Sequence, residues 1–204
     1  MMDLSERLRR LQRLGLHKGT SKLRPPAPRP TGLGIETVVA GEWVPTPYGH
    51  CFVSETSYPL HPQRGGLALG ACLTLPSSAI AACGGDPTLA ELDFRTAAFV
   101  DAETTGLAGG TGTLIFLLGI GTFEGPRDGS ESPPSCEERG IESQGSFVIR
   151  QFFAQEPAAE RAMLHAAAAV LDCCTGVVSY NGRAFDLPLL TTRFIINRLL
   201  PRLQ

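Results

Sequence analysis

Asp101 and Glu103 end a short apolar run, Ala97-Ala98-Phe99-Val100, and pass directly into Thr104-Thr105-Gly106-Leu107. Side chains of an extended chain alternate between faces, so the two carboxylates point the same way, about 7 Å apart. Like charges at that spacing repel, and the end of an apolar strand does little to accommodate both. A hard divalent cation resolves the conflict, because Mg²⁺ or Mn²⁺ prefers oxygen ligands and keeps positions open for phosphate oxygens. The Thr-Thr-Gly that follows lets the backbone turn sharply beside a ligand. A bare Asp-x-Glu is explained well enough by an acidic strand end before a turn. The complete string DAETTGL behind an apolar strand favours a metal-dependent site instead.

A second constellation lies downstream. Val177-Val178-Ser179-Tyr180 has the composition of a buried strand, and Asn181-Gly182-Arg183-Ala184-Phe185-Asp186 follows it. From Asp186 onward Leu187, Leu190, Phe194, Ile195 and Leu199 recur at helical spacing. Aspartate at a helix start is a common cap, and alone that would account for Asp186. Beside DAETTGL, the Asn-x-x-x-Phe-Asp pattern suggests a third carboxylate, carried by a helix to the end of the first strand.

DAETTGL resembles the first exonuclease motif of the DEDD nucleases in the ribonuclease H-like superfamily, and SYNGRAFD resembles the second. The stretch GLAGGTGTLIFLLGIGTFEG, residues 106–125, is similar to the Gly-rich turn and second strand of the YprB-type ribonuclease H-like domain. The similarity is strong over residues 94–198 and weaker over 31–93. It implies an α/β fold, a ribonuclease H-like mixed sheet with flanking helices. The first three strands would meander antiparallel, and the fourth would lie parallel beside the first after a right-handed crossover. It also implies hydrolysis of phosphodiesters in DNA or RNA with two Mg²⁺ or Mn²⁺ ions. Asp101 would ligate both ions, Glu103 one of them, and Asp186 the more exposed one. Thr104, Thr105 and Leu107 would contact the terminal nucleotide. Asn181 would organise the second motif and Phe185 would pack at the strand end, both within the substrate-binding set.

In that family a third motif supplies a fourth carboxylate and a His or Tyr that orients the water. After Asp186 come the residues LPLLTTRFIINRLLPRLQ, without Asp, Glu, His or Tyr. The expectation is a fold incomplete at its C-terminus, in a chain that is a fragment, a split product or a decayed copy. Such a chain would cleave poorly without a complementing C-terminal segment. Two function classes stay open: a metal-dependent nuclease, and a non-catalytic nucleic-acid-binding or interaction module that keeps the fold.

The organisation expected around these motifs has three parts. Residues 1–30 hold Arg7, Arg9, Arg10, Arg13, Lys18, Lys22, Arg24 and Arg29 against only Asp3 and Glu6, although the whole chain carries a net charge of −2. Leu4, Leu8, Leu11 and Leu14 give residues 4–15 an amphipathic helical pattern, and the proline-rich 25–30 reads as a stiff linker. Residues 31–94 read as a small β-rich extension, with strand-like runs at 35–39, 51–56 and 67–75. Residues 95–204 would form the ribonuclease H-like domain, with a polar insert at 125–146, a third strand at 147–153 and an Ala-rich helix at 157–171. Gly109-Gly110-Thr111-Gly112-Thr113 lacks the Gly-Lys-Ser/Thr ending of a phosphate loop and joins two strands, which makes it a hairpin turn. His50 and His61 read as loop residues, and His165 as a partly exposed structural residue.

Six cysteines without a Cys-x-x-Cys spacing or paired histidines exclude a zinc site of the usual kind. The uncharged run 66–83 is broken by Thr74, Pro76, Ser77 and Ser78, and its leucines alternate as in a strand. It is read as strand plus turn, not as a membrane span. The expected location is cytoplasmic. For the basic arm two roles remain, gripping phosphates or docking its leucines on the domain. If it grips nucleic acid, deleting residues 1–30 will weaken binding and flatten the dependence of affinity on salt. An unchanged slope in such a titration leaves only the packing role.

Overall fold

The computed structural model of the chain describes residues 34–61, 63–64, 66–106, 112–125 and 145–199. Contacts divide the chain into residues 1–33 and 34–204, so all described residues belong to the second unit. The helix expected at 4–15, the linker at 25–30, Leu107, the centre of the glycine-rich turn and nearly all of the polar insert lie outside the described residues.

Strands β1 (Glu42–Thr46) and β2 (Gly49–Pro59) form a hairpin around Pro47-Tyr48. The Thr46 hydroxyl closes the turn, donating to the Gly49 carbonyl at 2.7 Å and accepting from the Tyr48 N–H at 3.1 Å. Gly49 sits at φ +115°, a conformation that side chains rarely tolerate. Then follow the short pair β3 (Gln63–Arg64) and β4 (Leu67–Ala68), a 3₁₀ segment at Leu69–Thr74, helix α1 (Ser77–Gly84) and a second 3₁₀ segment at Pro87–Glu91. The remainder is β5 (Ala97–Thr104), β6 (Ile115–Glu124), β7 (Ser146–Phe153), α2 (Glu160–Leu171), β8 (Gly176–Val178) and α3 (Asp186–Ile196).

Six strands make one mixed sheet in the order β1-β2-β7-β6-β5-β8. β5, β6 and β7 meander antiparallel, and β8 lies parallel beside β5 with Ala97 opposite Gly176. The expected ribonuclease H-like topology is therefore present. The segment before residue 95 also contributes to this sheet, because β2 pairs antiparallel with β7 from Phe52↔Phe153 to Pro59↔Ser146.

Several local expectations fail: His50 lies in β2 opposite Pro45, not in a loop, and β8 ends at Val178, leaving Tyr180 95% exposed rather than in a buried strand. The run at 35–39 is not a strand but a 3₁₀ turn at Ile35–Thr37. The alternation at 67–75 gives only the two residues of β4 before the chain coils into 3₁₀ helix. No sheet face is available to bury that alternation: Leu67 and Leu75 are 72% and 53% exposed. The Gly70 N–H is instead spent on the Leu60 carbonyl at 3.1 Å. No helix among the described residues is long and apolar enough to cross a membrane.

One face of the sheet carries Val53, Val100, Leu118 and Phe152 against Met163 and Leu164 of α2 and Leu190 and Phe194 of α3. The other face holds a ring cluster, Phe94, Phe99, Phe123 and Phe147, with centroids 4.9 to 5.9 Å apart. Gly121 makes room for it, since a methyl group there would collide with the Phe147 ring.

A buried ion pair joins the two helices to the sheet. Arg193 Nε donates to Glu160 Oε1 at 2.8 Å, and its Nη2 donates to Oε2. Asn197 Nδ2 donates to the same Oε2 at 2.9 Å, and the Ile115 N–H donates to Oε1 at 3.1 Å. The last turn of α3, the first turn of α2 and the start of β6 thus share one carboxylate. Glu160→Ala will strand the Arg193 charge and cost about 3–5 kcal/mol in urea unfolding. Replacing both residues by Met will cost much less than that; equal losses for the single and double variants would deny the pair this role.

Candidate active site

β5 is held on both sides, by β6 and β8, and its alternation sets the directions of the acidic side chains. Val100 lies in the core and Ala102 packs against it. Asp101 and Glu103 emerge between and beyond them, on the opposite side, and both are exposed. The pairing with β6 shifts register between Glu103 and Thr104, a bulge where the strand leaves the sheet. The turn begins at once. Thr105 N–H donates to the Leu114 carbonyl at 3.0 Å, and the Leu114 N–H returns a bond to Thr105 Oγ1 at 3.0 Å. Thr104 Oγ1 donates to the Gly106 carbonyl at 2.9 Å. The Thr104 O–H is therefore spent on shaping the loop, while the Thr105 hydroxyl accepts there and keeps its own proton to donate. The antiparallel pairing across this connection agrees with a hairpin, not a phosphate loop.

The segment after β8 delivers Asp186. Asn181 adopts φ +55°, which Asn tolerates better than most residues. The Ala184 N–H bonds to the Asn181 carbonyl at 3.1 Å, and those of Phe185 and Leu187 to the Gly182 carbonyl at 3.2 and 2.9 Å. Phe185, not Asp186, is the N-cap of α3, and no side chain caps that end. The simple capping account of Asp186 therefore does not apply.

Asp186 is only 6% exposed. Burial first, and the neighbouring Asp101 carboxylate second, push its pKa above the ordinary carboxylate range, with its own backbone N–H opposing them. Asp101 and Asp186 are thus brought together from β5 and α3, as the two sequence motifs suggested. Glu103 shares the face of Asp101 without closing a larger cluster. Among the described residues no three His, Cys, Asp or Glu side chains gather as a ready-made metal site.

Gly182 was not singled out in the sequence, yet it is what lets the turn before Asp186 close against Ser179. A methyl group there would overlap Ser179 and lie 3.5 Å from Asp186 Oδ2. Its central place in SYNGRAFD was the available signal. Glu160, which fixes α3 from below, gave none beyond an acidic residue at a helix start.

With this geometry in hand, the likeness to known proteins takes on weight. The family model described as RNase H superfamily matches residues 98–202, just over half of the chain, and takes in Asp101, Glu103 and Asp186. The chain belongs to the RNase H superfamily. This RNase H-like chain is also 31% identical over 160 residues to the "Uncharacterized protein YprB" of Bacillus subtilis (strain 168). That alignment covers 76% of the chain and 33% of YprB, so the chain spans about a third of that relative's length. The two findings support a YprB-type RNase H-like domain. No solved structure matches it.

The raised pKa of Asp186 carries a stability consequence of definite sign. The folded state holds the Asp186 proton more tightly than the unfolded state does. Its stabilising contribution is complete at acid pH, below the unfolded carboxylate pKa, and is lost as pH rises through the folded value. In metal-free buffer Asp186→Asn will therefore melt higher than the parent at neutral pH. The difference will vanish as the pH falls below the ordinary carboxylate range. Melting curves in chelator across that pH range check this, and a variant that melts lower at neutral pH overturns it.

Proposed function

We propose that this RNase H-like domain is a metal-dependent nuclease, hydrolysing phosphodiester bonds of DNA or RNA from a strand end, with Asp101, Glu103 and Asp186 as its acidic centre. The observation that carries this reading is the Asp101–Asp186 approach. Two carboxylates are held in mutual repulsion, one of them buried, and neither forms an ion pair among the described residues. A fold holds such a pair at a cost unless something positive belongs between them.

The donors suit a hard divalent ion, Mg²⁺ or Mn²⁺, since all are carboxylate oxygens and no sulfur or imidazole stands among them. Asp101 and Asp186 would hold it, with Glu103 available for a second ion. When bound, such ions polarise the phosphoryl group and favour a hydroxide nucleophile. The chain itself supplies position. Asp101 is paired with Gly119 of β6, just past the last β5–β8 pair at Phe99, and Asp186 is fixed by the Asn181–Gly182 turn and the anchored helix α3. In hydrolysis the water oxygen bonds to phosphorus as the P–O3′ bond breaks, and the departing oxygen takes up a proton. Thr104, Thr105, Leu107, Asn181 and Phe185 are proposed to line the terminal nucleotide. For Thr104 this contact would fall to backbone or a spare hydroxyl lone pair, because its O–H already bonds the turn, whereas Thr105 keeps its O–H free to donate.

The test is single-turnover cleavage of labelled single- and double-stranded DNA and RNA with Mn²⁺. Protein in excess makes even slow chemistry visible. Asp101→Asn and Asp186→Asn should each lower the rate about 100-fold or more, and chelator should abolish it. Cleavage that survives Asp101→Asn would refute the assignment. Tight binding without any Asp101-dependent cleavage would favour the non-catalytic nucleic-acid module.

A further inference from the structure

The β1–β2 turn and the first half of α2 build a second polar cluster that the acidic centre does not use. Tyr48 lies between two residues one helical turn apart on α2, Arg161 and His165. The Arg161 guanidinium carbon stands 3.9 Å from the Tyr48 ring centroid. The His165 ring meets Tyr48 edge-on, with centroids 5.3 Å apart at 71°. Arg193 clamps the buried Glu160, Arg150 pairs with the buried Glu124 and the exposed Glu55, and Arg95 pairs with Asp93. Arg161 has no ion pair among the described residues, and its Nε is buried without an acceptor. A buried donor left unmade is costly, and a guanidinium adds its charge to that cost. Stacking on Tyr48 holds the group in place but leaves that charge unanswered.

The sheet register relates this cluster to the acidic centre. Thr104 ends β5 opposite Ile115, Leu117 faces Phe153, Phe153 faces Phe52, and Gly49 faces Thr46. The Asp101–Asp186 pair and the Pro47-Tyr48 turn therefore lie at the same end of the sheet. From β5 to β2 there are three strand spacings, about 14 Å. Glu160, next to Arg161, is bonded to Ile115 at that same end.

We propose that Arg161, stacked on Tyr48 and flanked by His165, is a phosphate subsite that grips the nucleic-acid strand a few nucleotides from the bond cleaved at Asp101 and Asp186. The proposal rests on the nuclease reading for its substrate. The shared chemistry is a phosphate group, either within a strand or as the free ion, and the position at the same end of the sheet as the acidic centre favours the strand.

The experiment uses the full chain carrying Asp101→Asn, without metal. Fluorescence anisotropy follows labelled single-stranded DNA and RNA of about 20 nucleotides, at salt from about 50 to 200 mM. Arg161→Ala should weaken binding roughly three- to tenfold and lower the salt slope by about 1, as expected for one lost phosphate contact. Arg161→Lys should keep the slope. Tyr48→Ala should weaken binding with the slope unchanged, because the charge remains and only its positioning is lost. Melting curves identify any variant that fails to fold, and Arg161→Lys and Tyr48→Ala then carry the test.

An unchanged affinity and slope in Arg161→Ala overturns the subsite, and Asp101-dependent cleavage in the parent would still leave the nuclease reading standing. The Arg161 effect without Asp101-dependent cleavage would keep the subsite and remove the nuclease reading. Absence of any oligonucleotide binding overturns the subsite. Inorganic phosphate at fixed ionic strength that binds through Arg161, with no Arg161 effect on oligonucleotides, would assign the site to the free ion and overturn the strand assignment.

Discussion

One buried carboxylate decides where the parts of this domain meet. Glu160 receives Arg193 and Asn197 from α3 and the Ile115 N–H from β6, and it is itself 2% exposed. Burying such a pair seldom adds net stability over an apolar substitute, because desolvation cancels most of the attraction. Its directional bonds do something that methyl groups cannot. They fix the rotation and height of α3 against the sheet, and α3 begins with Asp186. A shift of a helix by an ångström at Arg193 would be felt at the carboxylate two turns earlier, where positioning matters steeply.

The approach of Asp101 and Asp186 was legible because both lie in short contiguous motifs. A strand that ends in Asp-x-Glu and a turn rich in Thr and Gly advertise their local geometry, and the helix after Asp186 shows its period plainly. The fold was legible for the same reason, through the meander of β5, β6 and β7 and the crossover helix α2. Less was visible where long-range partners decide. The leucines at 67–75 alternate like a strand, but alternation specifies a strand only if a sheet edge waits for it. Glu160 reads as an ordinary acidic helix start until Arg193, far along the chain, comes to face it. The close packing at Gly182 belongs to the same class, since only the approach of Ser179 excludes a side chain there.

The two faces of the sheet divide the work. The face under α2 and α3 is mostly aliphatic, with Phe152 and Phe194, and ties the helices down, while the opposite face clusters phenylalanines around Phe99. Asp101 and Glu103 follow Phe99 on that second face, so the acidic end of β5 grows out of a rigid aromatic base. Arg150 braces the far part of the sheet, linking Glu55 on β2 with Glu124 on β6 at 2.9 and 2.6 Å. The β6 pairing of Asp101 and the aromatic cluster beneath it hold that end of β5 in place.

The pairing of β2 with β7 has a consequence for biosynthesis. Cys51 and Phe153, neighbours across those strands, are 102 residues apart in the chain. At a ribosomal pace of about 5–20 residues per second, β2 leaves the ribosome roughly 5–20 s before its partner exists. The hairpin with β1 shields one of its edges during that interval, and the other edge, with Phe52 beside it, stays open to any passing strand. Contacts of such long range also slow folding after synthesis. The vulnerable moment of this protein is therefore its birth, and a chaperone that covers β2 until β7 arrives would do more for its yield than any improvement of the finished core.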